Sequence, residues 1–314
     1  MNTMYTLSSK IIIFIFLSFG YANYSKTHEI LHFDPHLSYI PPAQYSHKTP
    51  VVTVIGFPDH AMMYHHKFDT EKTFTVTFSF HHNLLYCGYV HPCKILNAIY
   101  SINLGQKEDA KVLLNAVLQC YQQGYTKIDI FANSRGGAAT ITMLDILSNP
   151  ERYHDVWSSF GILDHALHEA LRTMVAKGTI FLAHPLIDQH ATIQYIAQYP
   201  LDLLFNVPGK NACKKVLTWY VYIIMKILTS YQNNFSSPLK ILKHNIGSLQ
   251  WPYHIYIAFA DWDHIVGTYH RTVLHELSMQ YPLKLKLVRG GAHHSDIKKL
   301  VKHFRDYLQN SDRL

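Results

Sequence analysis

The chain has few of the residues on which small disulfide-rich or metal-binding domains depend. Its 314 residues include four cysteines, and charged residues make up 16% of the sequence. The cysteine spacing does not match a structural zinc site, and histidine pairs such as His65-His66 have no carboxylate or thiolate partners at ligand spacing. We therefore expect no metal. A chain of this length can bury a hydrophobic core without disulfides or metal.

A phosphate-binding loop and a long basic segment are also missing. No glycine-rich loop follows the first strand pattern, so we expect no nucleotide cofactor. Lys and Arg number 28 against 21 Asp and Glu, but they are dispersed, with pairs at Lys214-Lys215 and Lys298-Lys299 only. This dispersal is typical of a solvated basic surface, and we expect no nucleic-acid partner.

No apolar run approaches the roughly 20 residues that cross a bilayer. At the N-terminus, Lys10 precedes the short apolar run 11–17, and small residues follow up to Ala22. This pattern predicts a signal peptide, residues 1–22, and hence export; an uncleaved anchor is the alternative. Residues 23–50 are polar and proline-containing and predict an irregular lead-in.

The expected state of the cysteines depends on the compartment in which the protein folds. In an oxidising compartment, Cys87 and Cys93 are close enough in sequence to form a disulfide. Cys120 lies on the apolar face of a predicted helix and is expected to be a buried thiol. The sequence leaves the Cys87–Cys93 pairing open.

Strand and helix patterns alternate from residue 51 onwards. The predicted strands are 51–55, 73–80, 127–132, 178–183, 254–260 and 283–288, and the predicted helices are 109–121, 137–147 and 296–308. The last strand alternates apolar and charged residues, as expected at a sheet edge. Alternating strands and helices imply a mostly parallel sheet with helices on both faces.

Residues 190–250 interrupt this alternation, because they have no strand pattern. They include the apolar run 216–225, which is too short to span a bilayer. We expect an inserted helical cap over the carboxyl ends of the strands, where ligands bind in open α/β sheets. Trp219, Tyr220 and Tyr222 would then help to form an apolar acyl pocket; the alternative is a helix buried in the core.

A serine stands between a predicted strand and a predicted helix. Ser134 has a small residue two positions before it, Ala132, and another two positions after it, Gly136. This pattern is typical of a nucleophile elbow, a turn so tight that its neighbours must be small. The turn exposes the hydroxyl, and the following helix directs its first amides at the reaction centre.

A nucleophilic serine needs a histidine base and an acid that orients the base. Two carboxylates, Asp261 and Asp263, follow the predicted strand 254–260. Two histidines, His293 and His294, follow the edge strand after glycine and alanine residues that can form a returning loop.

These segments together resemble the α/β-hydrolase superfamily, from Val51 to the C-terminus apart from the cap. The resemblance implies an α/β-hydrolase fold and the chain order serine, acid, histidine. A small residue, two others, Asp, two others and Val is the family pattern around the acid, and it selects Asp263 over Asp261. His293 is the expected base, with His294 as the alternative.

The resemblance also implies an oxyanion hole built from two backbone N–H groups. One is the N–H of Arg135, directly after the nucleophile. The other follows the first strand, and Phe57 is the candidate because Pro58 has no N–H. Many relatives carry His where this chain has Ile55, so this part of the pattern matches less well.

The expected activity is hydrolysis of carboxylic esters through an acyl-enzyme on Ser134, without a cofactor. A serine peptidase acting on short peptides and a catalytically inactive binding protein with this fold are the alternatives. The expected partner is a small acyl substrate. Lys214, Lys215 and Lys226 flank the cap run, which suggests weak attraction to anionic lipid surfaces.

The choice of acid can be tested by mutation. If Asp263 orients His293, Asp263→Asn should lower kcat by about 10³- to 10⁴-fold and leave the fold intact. Asp261→Asn, the matched control, should have a far smaller effect. The reverse ranking of the two variants in an ester-hydrolysis assay would show that Asp261 is the acid.

Overall fold

A computed structural model describes residues 51–54, 73–76, 107–161, 164–188, 216, 219–220, 237–260, 269–290, 300, 302, 304 and 306. The strands are β1 (Val51–Val54), β2 (Thr73–Val76), β3 (Asp129–Asn133), β4 (Ile180–Ala183), β5 (Ile255–Ala260) and β6 (Leu285–Gly290). The α-helices are α1 (Lys107–Gln122), α2 (Arg135–Ser148), α3 (His154–Ser159), α4 (His165–Ala176), α5 (Pro238–Asn245) and α6 (Tyr269–Gln280). A 3₁₀ helix, Pro150–Tyr153, joins α2 to α3.

The six strands form one sheet in the order β2-β1-β3-β4-β5-β6. Every neighbouring pair is parallel. The predicted parallel sheet is therefore confirmed, and β6 lies at its edge as its alternating pattern predicted. Because all strands run in one direction, their carboxyl ends share one edge of the sheet.

The central strands are apolar on both faces, and both faces are covered. Side chains alternate between the faces along a strand. Phe131 of β3 stacks on Phe181 of β4 with ring centroids 5.6 Å apart, and Phe304 of the C-terminal helical segment lies 5.6 Å and 5.7 Å from them. Their strand neighbours, such as Ile130 and Leu182, belong to the core cluster on the other face, with residues of α1 and α2. Helices therefore cover both faces, as predicted.

Helix α2 lies at the centre of the molecule, since every one of its residues is buried. Its small and apolar residues allow this, and its threonine hydroxyls are satisfied inside the helix. Thr140 Oγ1 donates to the Gly136 carbonyl at 2.8 Å, and Thr142 Oγ1 donates to the Ala138 carbonyl at 3.0 Å. Such i→i−4 bonds remove the cost of burying an unpaired hydroxyl.

A buried carboxylate joins the end of α2 to α5. Asp145 accepts hydrogen bonds from Asn149 Nδ2 at 2.7 Å, from Asn245 Nδ2 at 2.8 Å and from the Tyr153 hydroxyl. Three donors compensate for the loss of water around a carboxylate that is completely buried. Helix α5 is thereby fixed to the core by polar contacts as well as by its apolar face.

Helix α5 lies within residues 190–250, the range that the sequence pattern assigned to the cap. The sequence pattern extended the insertion to Gln250, but Leu239 and Leu242 of α5 belong to the hydrophobic core. The Leu239 N–H donates to the Ile187 carbonyl at 2.8 Å. Helix α5 therefore packs on the core within the range assigned to the insertion, and residues 189–215, 217–218 and 221–236 lie outside the described residues.

Several predictions lie outside the described residues, among them the signal peptide 1–22, the lead-in 23–50 and the Cys87–Cys93 pairing. Cys120 is a buried thiol, as expected. Across the described ranges, no helix combines the length and apolarity needed to cross a membrane. In the same part of the chain, no three His, Cys, Asp or Glu side chains are grouped as metal ligands.

Candidate active site

Ser134 lies in the turn between β3 and α2, where the sequence predicted it. Its backbone angles are φ 49° and ψ −114°. These angles belong to the first central position of a type II′ turn, which glycine favours and other L-residues avoid. The side chain is 5% exposed. A non-glycine residue held in this conformation is typical of the strained turn that presents a nucleophile.

Backbone hydrogen bonds hold the strained turn against the neighbouring strand. The Ser134 N–H donates to the Ala183 carbonyl at 2.8 Å, which extends the β3–β4 ladder by one residue. The Ser134 carbonyl accepts from the Leu186 N–H at 3.0 Å and from the Gly137 N–H at 3.0 Å. The exit of β4 therefore fixes both polar groups of the Ser134 backbone.

The two glycines after the elbow are required by close packing. A Cβ on Gly136 would lie 2.5 Å from the carbonyl oxygen of Val54, at the end of β1. A Cβ on Gly137 would lie 2.6 Å from Cβ of Pro185, directly after β4. The start of α2 therefore packs tightly against the ends of β1 and β4. A side chain at either glycine would displace the helix.

Arg135 is the first residue of α2, where the N–H groups lie outside the intrahelical hydrogen-bond pattern and the helix dipole favours negative charge. This is the position expected of an oxyanion-hole donor. The Arg135 side chain is buried and forms two hydrogen bonds with Asp109, from Nε at 2.6 Å and from Nη2 at 2.7 Å. The sequence analysis gave Asp109 no role, because a contact 26 residues away has no local signal.

A buried histidine, His184, is a second residue without a role in the sequence analysis. It follows β4 with a positive φ of 46°. Its N–H donates to the Ala258 carbonyl of β5 at 2.8 Å, and it lies between Ala183 and Pro185, which both contact the elbow. The exit of β4 is therefore constrained on both sides.

Asp263, His293 and Phe57 lie outside the described residues, but the strands that precede them are described. Ala260 at the end of β5 is in register with Gly290 at the end of β6. Each of these two residues is three positions before the predicted acid or base. The order of strands and the elbow after the central strand decide the fold. It is the α/β-hydrolase fold.

No protein-family model and no curated protein matches this sequence. Among solved structures of the α/β-hydrolase fold, the chain is similar to a lipase/esterase from Lactobacillus plantarum, with 12% identity, 85% of this chain and 88% of that chain covered, and a TM-score of 0.44. An esterase from Pyrococcus furiosus gives 8% identity, coverage of 83% and 81%, and a TM-score of 0.41. The fold assignment itself depends on the sheet order and the elbow.

A third similar structure is the 2-hydroxy-6-oxo-6-phenylhexa-2,4-dienoate hydrolase from Rhodococcus sp. strain RHA1. It gives 14% identity, covers 85% of this chain and 91% of that chain, and has a TM-score of 0.37. The substrate in this name is that of the Rhodococcus enzyme.

Two of the predicted pocket residues of this α/β-hydrolase-fold protein are helical and lie on the surface. Trp219 is 62% exposed and Tyr220 is 59% exposed, and Val216, one helical turn earlier, is 68% exposed. These three residues, the cap face, are therefore exposed, and the remaining residues of the apolar run lie outside the described residues. Tyr222 lies outside the described residues, and the acyl pocket stays a prediction.

The strain at Ser134 predicts an unusual order of stability. Ser134→Gly should be more stable than Ser134→Ala by about 1 kcal/mol, because glycine relieves the positive φ and alanine retains it. The measurement is the urea midpoint at a constant m-value. Ser278, which lies inside α6, is the control position. There, Ser278→Gly should be less stable than Ser278→Ala, because glycine destabilises a helix. If Ser134→Ala were as stable as Ser134→Gly, the result would contradict backbone strain at position 134.

Proposed function

We propose that this protein is a serine hydrolase that cleaves carboxylic esters, with Ser134 as nucleophile, Asp263 as acid and His293 as base. The observation that supports the proposal most strongly is the backbone of Ser134, a strained turn held by the exit of β4 at the start of a buried helix. Such strain persists only where the surrounding structure enforces it, and it is concentrated at functional sites.

The proposed reaction has two halves. His293 accepts the Ser134 proton while Oγ attacks the ester carbonyl, and the N–H groups of Arg135 and Phe57 stabilise the oxyanion. The imidazolium then protonates the leaving alcohol, and an acyl-enzyme remains. Water activated by the same histidine hydrolyses the acyl-serine, which releases the carboxylic acid and restores Ser134. No step needs a cofactor or a metal.

The sheet geometry is compatible with this triad. Strands in a sheet lie about 4.8 Å apart, so β6, three positions from β3 in the sheet order, lies about 14 Å away. Three extended residues, from Gly290 to His293, can cover about 10 Å. The gap that remains is about the length of a side chain, which suits an imidazole returning toward Ser134.

The insertion supports a role in substrate binding. The predicted cap lies in the chain between Ile187 and Leu239, whose N–H donates to the Ile187 carbonyl, and the neighbouring Leu186 N–H is bonded to the Ser134 carbonyl. Both ends of the cap are therefore close to the nucleophile. We infer that Trp219, Tyr220 and Tyr222 contact the acyl chain of the substrate and that the basic residues around the cap add weak attraction to anionic lipid surfaces. We also propose export, on the N-terminal pattern alone.

A fluorophosphonate probe tests the nucleophile. The wild-type protein should react covalently, and Ser134→Ala should lose the signal. Ser148→Ala, which removes another buried serine hydroxyl at the last residue of α2, should label like the wild type. A folded wild-type protein that does not react would favour the inactive binding protein. A protein that reacts but hydrolyses peptide anilides faster than nitrophenyl esters would favour the peptidase.

A chain-length series of nitrophenyl esters tests the cap. If the cap face binds the acyl chain, the enzyme should prefer medium or long chains to acetate, and Trp219→Ala should lower kcat/KM for long chains selectively. Met279→Ala, which removes an exposed apolar side chain from α6, is the matched control and should change neither rate. An enzyme that is fastest on acetate and unaffected by Trp219→Ala would show that the cap is a scaffold only.

A further inference from the structure

The ion pair between Arg135 and Asp109 is buried directly beside the elbow. The side chains are 2% and 5% exposed. Two hydrogen bonds, at 2.6 Å and 2.7 Å, fix the guanidinium against the carboxylate. A bidentate pair of this kind fixes orientation as well as distance.

Stability alone does not explain such a pair. Removing two charges from water costs about as much as their attraction returns, and apolar residues of similar size often serve stability as well or better. The presence of the ion pair therefore needs another explanation. The positions of its two residues in the chain suggest one. Arg135 carries the N–H next to the nucleophile, and Asp109 lies in the first turn of α1.

Helix α1 has other contacts with the rest of the structure as well. In the same first turn, the Lys107 ammonium pairs with Asp155, and hydrogen bonding to that ammonium holds the pKa of Asp155 below its usual value. The apolar face of α1, including Leu113 and Val117, is buried in the core. The helix is thus anchored by contacts that do not involve Arg135.

The helix dipoles favour a negatively charged side chain at the position of Asp109. The amino ends of α1 and α2 carry partial positive charge. The guanidinium of Arg135 adds a full positive charge at the start of α2, and Asp109 neutralises it. Without Asp109, the guanidinium would lose the two hydrogen bonds that fix its orientation at the first residue of α2.

We propose that Asp109 is a positioning residue: it fixes the Arg135 side chain so that the Arg135 N–H points at the oxyanion. This inference rests on the proposed function, because it assigns a role within the same oxyanion hole. A displaced donor should weaken binding of the transition state more than binding of the substrate.

The test compares substrate with an oxyanion mimic. Asp109→Asn keeps the shape of the side chain and removes its charge, and Arg135→Lys keeps the charge and removes the bidentate geometry. Each should lower kcat by about 10- to 100-fold, less than the loss of a whole donor, with KM nearly unchanged. The Ki of an alkyl trifluoromethyl ketone, which forms an oxyanion on Ser134, should rise in proportion.

Two further variants separate positioning from stability. Asp145→Asn perturbs another buried carboxylate of α2, in the last turns of the helix and away from Arg135. It should lower the midpoint of unfolding while kcat per folded molecule stays within about two-fold. If the single variants at the ion pair fold poorly, the double variant Asp109→Leu with Arg135→Met removes both charges and restores folding. It should still show the raised Ki.

The outcomes are distinct. A wild-type protein that never reacts with the fluorophosphonate overturns the proposed function and this inference together. A reactive wild type whose Asp109→Asn and Arg135→Lys variants keep kcat and Ki overturns the positioning role alone. An Asp145→Asn variant that raises the Ki as much as Asp109→Asn does also overturns it, because the effect would then follow loss of stability.

Discussion

The hydrogen bonds between Ser134 and the exit of β4 are the constraint on which the rest of the site depends. They hold a non-glycine residue at φ 49°, a conformation that costs about 1–3 kcal/mol. Because the Ser134 N–H and carbonyl bind Ala183 and Leu186, the parallel register of β3 and β4 determines where the serine lies. The hydrogen bonds of the sheet thus keep the strained turn at Ser134 in place.

Helix α2 connects the strained turn to the rest of the core. Its second and third residues must be glycine because Val54 and Pro185 approach too closely for a side chain, and its other end is held by the buried Asp145 and its three donors. The glycine contacts fix the amino terminus of α2, whereas Asp145 fixes its carboxyl end to α5. The same exit of β4 also contacts α5, because the Leu239 N–H donates to the Ile187 carbonyl at 2.8 Å.

The sequence predicted the features that have a local cause. The β-branched run at Val51 and the small residues around Ser134 predicted a buried strand and the elbow, because strand burial and turn sterics act over a few residues. Features that depend on distant contacts were not predictable. Asp109 meets Arg135 across 26 residues, and α5 joins the core through Asp145, 100 residues from Asn245, so neither contact has a local sequence signal.

The most direct test of the central claim is to locate the acyl group in the trapped intermediate. Trypsin cleavage after Lys127 and Arg135 releases residues 128–135, which contain Ser134 as their one serine. Acid quenching during turnover of a nitrophenyl ester, followed by mass spectrometry, should find this peptide heavier by one acyl group. An acyl group on any other peptide, or turnover without an acylated peptide, would contradict the account.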